Sequence, residues 1–109
     1  MSAGERQTEV SAARVSASKR LAELGVTLPS PAKPLAAYVP AVRTGNLVYT
    51  SGQLPLAGGE LTKAGKVGAG VTPEDAKAAA RTCALNALAA VDALVGIDSV
   101  TRVVKVVGF

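Results

Sequence analysis

Residues 38–55 read YVPAVRTGNLVYTSGQLP, and this stretch decides the fold. Val39, Ala41 and Arg43 alternate with Tyr38, Pro40 and Val42. Leu47, Tyr49 and Ser51 alternate with Val48 and Thr50. A period of two in β-branched and aromatic residues predicts two strands, over 38–43 and 46–52. Gly45-Asn46 between them tolerates positive φ and suits a tight hairpin. Pro40 has no N–H for a ladder, so the first strand belongs at an edge or carries a bulge there. The second strand runs into Ser51-Gly52, then Gln53 and Pro55. A hydroxyl at a strand end, followed by a glycine that lets another molecule approach the backbone, is a place for a small ligand.

On the C-terminal side comes a glycine-rich loop through Gly70, with a short third strand expected near Glu60 to Thr62. GKVGAG does not follow a strand in the way a phosphate-binding motif requires, so the loop is read as a connection. Thr72 to Gly96 is the best-signalled helix. Thr72 is placed to cap it, Pro73 suits the first helical position, and Asp75 completes a capping box. Gly96 ends it. Ala76, Ala80, Cys83, Ala87, Val91 and Leu94 recur at threes and fours and form its expected apolar face. Residues 101–109 (TRVVKVVGF) predict a last strand, apolar on both faces and so central in a sheet. Strand, helix, strand implies a right-handed crossover. The expected sheet then lacks neighbours for its last strand, and the expected chain is the first part of a longer domain. The alternatives are residues supplied by a partner chain, or a natural but unstable fragment.

On the N-terminal side, residues 1–11 are small and polar and are expected to lack fixed structure. A short, weakly amphipathic helix is expected from Ala12 to Leu24, with Gly25 just past its end. Leu28 to Pro34 (LPSPAKP) reads as an extended linker, because proline breaks a helix. The division is therefore 1–37, a tail with helix and linker, and 38–109, the domain proper.

Composition narrows the chemistry. The chain has 109 residues, 18% charged and 49% apolar, which suits one small domain with an ordinary core. Aromatics are 3%, so that core must come from Val, Leu and Ala. The net charge of +4 is spread along the chain with no basic run, against a nucleic-acid surface. Histidine is absent, removing the commonest general base and metal ligand. No acidic or cysteine cluster has metal-ligand spacing, and neither a metal nor a cofactor is expected. Cys83 is alone and cannot form an internal disulfide; it is read as a small buried hydrophobe. No uninterrupted apolar run reads as a membrane span and no signal peptide is evident, so a soluble, cytoplasmic protein is expected.

The pieces Tyr38-Val39 and Gly45-Asn46-Leu47-Val48-Tyr49-Thr50-Ser51-Gly52-Gln53-Leu54-Pro55, a GN-x5-GQ-x-P pattern, resemble the reactive-intermediate deaminases, the YjgF or RidA family. The resemblance covers roughly Leu21 to Phe109, with the alanine-rich helix and VVKVVGF following in the family's order. It implies an α+β fold of chorismate-mutase type: a mixed β-sheet with helices on one face. It also implies a homotrimer with ligand clefts between subunits. The implied activity is hydrolysis of reactive enamines and 2-imino acids to 2-keto acids and ammonia. The family arginine that grips the substrate carboxylate, and a glutamate that helps position water, correspond to positions beyond Phe109. Ala37 stands where a proline often precedes the tyrosine, and the N-terminal helix and proline linker resemble a subgroup of less defined substrate. A label of endoribonuclease also attaches to the family, but this sequence offers no nuclease chemistry.

Within the chain the resemblance implies substrate-binding roles for Tyr38, Ser51 and Gly52. Each has a plainer alternative: Tyr38 as a half-buried strand aromatic, Ser51 as a partner for strand-end backbone. Arg43 and Lys105 read as solvated strand charges and Arg81 as a solvated helix charge. Imine hydrolysis does not demand histidine, because the substrate is already electrophilic and needs chiefly a placed water and an anchor. Two functions remain open. One is the deaminase. The other is a non-catalytic trimer of the same fold that binds a small carboxylate metabolite or a protein partner. Neither involves nucleic acid or a membrane.

Overall fold

The computed structural model describes residues 15–31 and 36–109. The polar tail, the first residues of the expected helix from Ala12, and linker residues 32–35 lie outside the described residues.

The hairpin forms as its alternation requires. Strands β1 (Ala41–Thr44) and β2 (Leu47–Thr50) pair antiparallel, with Ala41 opposite Thr50 and Thr44 opposite Leu47. The two-residue turn takes its positive φ at Gly45 (56°) and not at Asn46, which is the pattern of a turn with glycine at its first central position. Arg43 donates from Nε to the Gly45 carbonyl at 3.0 Å and braces that end. β1 is shorter than the strand expected over 38–43: Tyr38, Val39 and Pro40 fall outside it, and there the missing Pro40 N–H costs no ladder bond.

The expected third strand is present, but as half of a separate ladder: β3 (Leu56–Ala57) pairs antiparallel with β4 (Glu60–Leu61). Short strands β5 (Lys66–Val67) and β6 (Gly70–Val71) pair parallel within the glycine-rich loop. The described residues thus hold three two-stranded ladders rather than one mixed sheet. Residues 101–109 form neither a helix nor a strand and all are exposed. A β-strand exists only with a hydrogen-bonded neighbour, and no described strand pairs with this segment, so its high strand propensity goes unexpressed.

Helix α1 (Ala17–Glu23) starts at the N-cap Ser16, whose hydroxyl accepts from the Lys19 N–H, and ends before Gly25 at φ 68°. Helix α2 spans Pro73–Val95. Its capping box is complete: Thr72 Oγ1 accepts from the Asp75 N–H at 3.1 Å, and Asp75 Oδ2 accepts from the Thr72 N–H at 3.1 Å. Those bonds, led by the Thr72 backbone N–H and helped by Lys63, hold the Asp75 carboxyl below its ordinary value. A 3₁₀ turn, Ile97–Ser99, follows Gly96, with the Ile97 N–H bonded to Asp92 Oδ1 at 2.8 Å.

α2 packs against β1, β2 and β3. The core is small: Val71, Ala89, Ala90 and Ile97 are buried, together with Asn86 at 2% exposure. The helix is therefore turned relative to the expected stripe. Cys83, Ala87 and Val91 lie partly buried, but Ala80 and Leu94 are exposed. An alanine-rich helix is apolar nearly all round, so periodicity leaves its phase open, and the polar Asn86 sets it by entering the core. By length and composition α2 is apolar enough to cross a membrane, although Arg81 and Asp92 interrupt it. Of its buried residues, Asn86 is bonded to the Leu54 and Leu56 carbonyls of this chain.

Candidate functional site

Ser51 and Gly52 stand at the open end of the β1–β2 hairpin, and Tyr38 precedes by two residues the Pro40 that closes it. The ladder extends one step past Thr50, as the Ser51 N–H donates to the Pro40 carbonyl at 2.9 Å. Ser51 Oγ donates to the same carbonyl at 3.2 Å. Ser51 is half-buried, and its backbone and side chain both close the hairpin. The plainer role for Ser51 is therefore fulfilled, and it shapes any further one. With the hydroxyl proton directed at Pro40, the oxygen presents lone pairs, so Ser51 can accept a hydrogen bond from a ligand.

Gly52 is exposed, and a Cβ built there would meet no atom within 4 Å, so the backbone lies open to an incoming molecule. Tyr38 stands two residues before Pro40, 45% exposed, with its N–H bonded to the Ala36 carbonyl. Gln53 is half-buried and reaches back with Nε2 to the Ser51 carbonyl at 3.5 Å, a long contact.

Arg43 is committed to the turn at the opposite end of the hairpin. Arg81 lies on the exposed side of α2, and Arg102 and Lys105 on the exposed 101–109 segment. Burial pushes the Cys83 thiol above its ordinary value and keeps it protonated, in line with a packing role. Among the described residues no group of three or more Cys, Asp or Glu side chains is placed to hold a metal ion.

One residue at this end escaped the sequence reading. Asn86, in the middle of α2, donates from Nδ2 to the Leu54 carbonyl at 3.1 Å and to the Leu56 carbonyl at 3.0 Å. The signal available was a lone amide in an otherwise apolar run, ALNALAA.

With the GN-x5-GQ-x-P stretch forming a hairpin against an alanine-rich helix, comparison with known proteins becomes specific. The model of the family described as "YjgF/chorismate mutase-like, putative endoribonuclease" matches residues 18–108. The chain belongs to the YjgF/chorismate mutase-like family. Protein TCP17 of Trypanosoma cruzi is 42% identical over 99 residues, a match covering 88% of this chain and 59% of TCP17. The crystal structure of a Shewanella oneidensis protein described as a "putative endoribonuclease" superposes with a TM-score of 0.71 at 35% identity, covering 78% of this chain and 56% of that one. Atu1372 of Agrobacterium tumefaciens, a protein of unknown function, gives a TM-score of 0.60 at 47% identity over 72% of this chain and 47% of its own. This YjgF chain thus has the family's α+β fold, as small sheets with helices, and spans about half the length of the relatives it matches.

Proposed function

We propose that the protein, at the length of its relatives, is an enamine and imine deaminase that hydrolyses small 2-imino acids to 2-keto acids and ammonia. The observation that carries the proposal is the hairpin end itself. Ser51 offers acceptor lone pairs beside the open backbone of Gly52, and Tyr38 is an exposed aromatic two residues before Pro40. In the reaction, water adds to the C=N carbon to give a tetrahedral carbinolamine. A proton then passes from the carbinolamine hydroxyl to its amine, the C–N bond breaks, and ammonia leaves as the keto group forms. A Ser51 oxygen that accepts from the attacking water or from the imine N–H orients the two reactants, and orientation is most of what an electrophilic imine requires. The anionic end of the substrate calls for a fixed guanidinium, best as a bidentate pair. That cation is proposed to come from the part of the relatives' length not spanned here. A mixed sheet in the full-length protein, the trimer and its inter-subunit clefts belong to the same proposal, since such an assembly covers the apolar surface left exposed here.

The test generates 2-imino acids in place with an amino-acid oxidase and follows their disappearance with and without full-length protein. Faster loss of imine, with matching release of keto acid, is expected. A full-length protein that leaves the rate unchanged yet binds the keto acid overturns catalysis in favour of metabolite binding.

A further inference from the structure

We infer that Asn86 is a positioning residue for this site: it clamps the Leu54–Leu56 turn to α2 and so holds Gly52 and Gln53 in place for the substrate. The inference rests on the deaminase reading and adds a residue to it. Asn86 is the one buried polar side chain among the described residues, at 2% exposure. A buried amide is costly unless bonded, and this one spends both Nδ2 protons on carbonyls of the turn, at Leu54 and Leu56. Between those carbonyls lies Pro55, which has no N–H with which to tie itself into a ladder. Other bonds complete the turn. The Leu56 N–H donates to the Leu54 carbonyl at 2.8 Å. The Pro55 carbonyl accepts from the N–H and the Oγ1 of Thr62, each at 2.9 Å.

Gly52 and Gln53 therefore run between two anchors: Ser51 on Pro40, and Leu54 on Asn86. An open glycine would otherwise be the most mobile point of the strand exit. The Asn86 bonds are the ones that reach from the helix to this turn, 32 and 30 residues apart in sequence. Loss of that tie frees one end of the segment while leaving Ser51 bonded to Pro40. Substrate anchoring through the carboxylate is then spared, and the placement of water and imine suffers.

The experiment uses full-length protein with Asn86→Ala and Asn86→Asp. Turnover of a 2-imino acid, binding of the corresponding 2-keto acid, and amide exchange across residues 52–56 are measured on folded protein. For Asn86→Ala we expect a kcat lower by about tenfold or more, keto-acid affinity within about threefold of the parent, and faster exchange at 52–56 with that of α2 unchanged. Asn86→Asp keeps the shape but donates only while protonated. Burial raises the pKa of such a carboxyl, so its kcat should approach the parent's at low pH and fall as pH rises through that value. The parent lacks this limb. If Asn86→Ala does not fold, the pH profile of Asn86→Asp decides. A folded Asn86→Ala with the parent's kcat, or an Asn86→Asp whose pH profile copies the parent's, overturns the inference. If the parent itself does not hydrolyse imines, the deaminase reading has failed, and exchange at 52–56 judges the clamp alone: unchanged exchange overturns it, faster exchange supports it.

Discussion

Ser51 illustrates how one hydrogen bond selects a chemical role. Its hydroxyl has a single proton, and that proton points at Pro40. A serine so arranged is a poor donor and a poor nucleophile but a usable acceptor. Ser51→Ala removes one part-buried bond and the acceptor together. We expect a stability loss of about 1 kcal/mol, in line with a typical intramolecular hydrogen bond, and about a tenfold lower kcat for imine hydrolysis in full-length protein. Ser51→Thr, which keeps the hydroxyl and suits a strand, should recover most of both. Thermal melts and steady-state kinetics on the same preparations check this, and equal kcat for all three forms would remove Ser51 from the mechanism.

At the scale of elements, α1 and α2 are held by different means. α2 carries its own signals, a full capping box and proline at its start. α1 has seven residues and none of them is buried, so it is too short to persist alone. What holds it is Asp98 in the 3₁₀ turn, which accepts from the Ser18 N–H at 2.7 Å and from Ser18 Oγ at 2.6 Å. Those bonds, the hydroxyl's first, lower the Asp98 carboxyl below its ordinary value. The sign follows: the ionised form is the docked one. Docking is fully supported above the ordinary carboxylate pKa and lost as pH falls through the lowered one. Among the described residues no ion pair involves Asp98; the neighbouring Arg20 pairs with Glu23 at 3.3 Å. Asp98→Ala should raise amide exchange across 17–24 by about tenfold, leaving the middle of α2 unchanged. Exchange across α1 that stays at the parent's level would show that the helix is held by its partly buried Ala17 and Leu21 instead.

The described residues are extended for their number. Their radius of gyration is 16.6 Å, where a compact domain of about 100 residues has roughly 13 Å. The excess is accompanied by exposed apolar surface: Val42 and Tyr49 on the hairpin, and Val103, Val104, Val106, Val107 and Phe109 on the last segment. Surface of this kind, contiguous along one segment, marks a place that something else covers. The 109-residue chain expressed alone should bind a hydrophobic dye and sediment as concentration-dependent aggregates. A protein of the relatives' length should bind little dye and sediment as a trimer. A dye-silent, monomeric 109-residue chain would contradict this, as would a monomeric full-length protein at micromolar concentration.

The sequence by itself determined the local elements and the family. Alternation with glycine in a two-residue loop dictates the β1–β2 hairpin, because the side-chain period and the turn both act over a few residues. Thr72, Pro73, Asp75 and Gly96 dictate both ends of α2 for the same reason: capping is local chemistry. The GN-x5-GQ-x-P spacing was sufficient to identify the family. What tertiary structure alone decided depends on partners distant in the chain. The phase of α2 was open among so many alanines until Asn86 met the carbonyls of Leu54 and Leu56. The direction of the Ser51 proton was open until the Pro40 carbonyl arrived from the neighbouring strand. The state of residues 101–109 was open as well, because strand propensity resides in the residue, whereas a strand resides in its hydrogen-bonded neighbour.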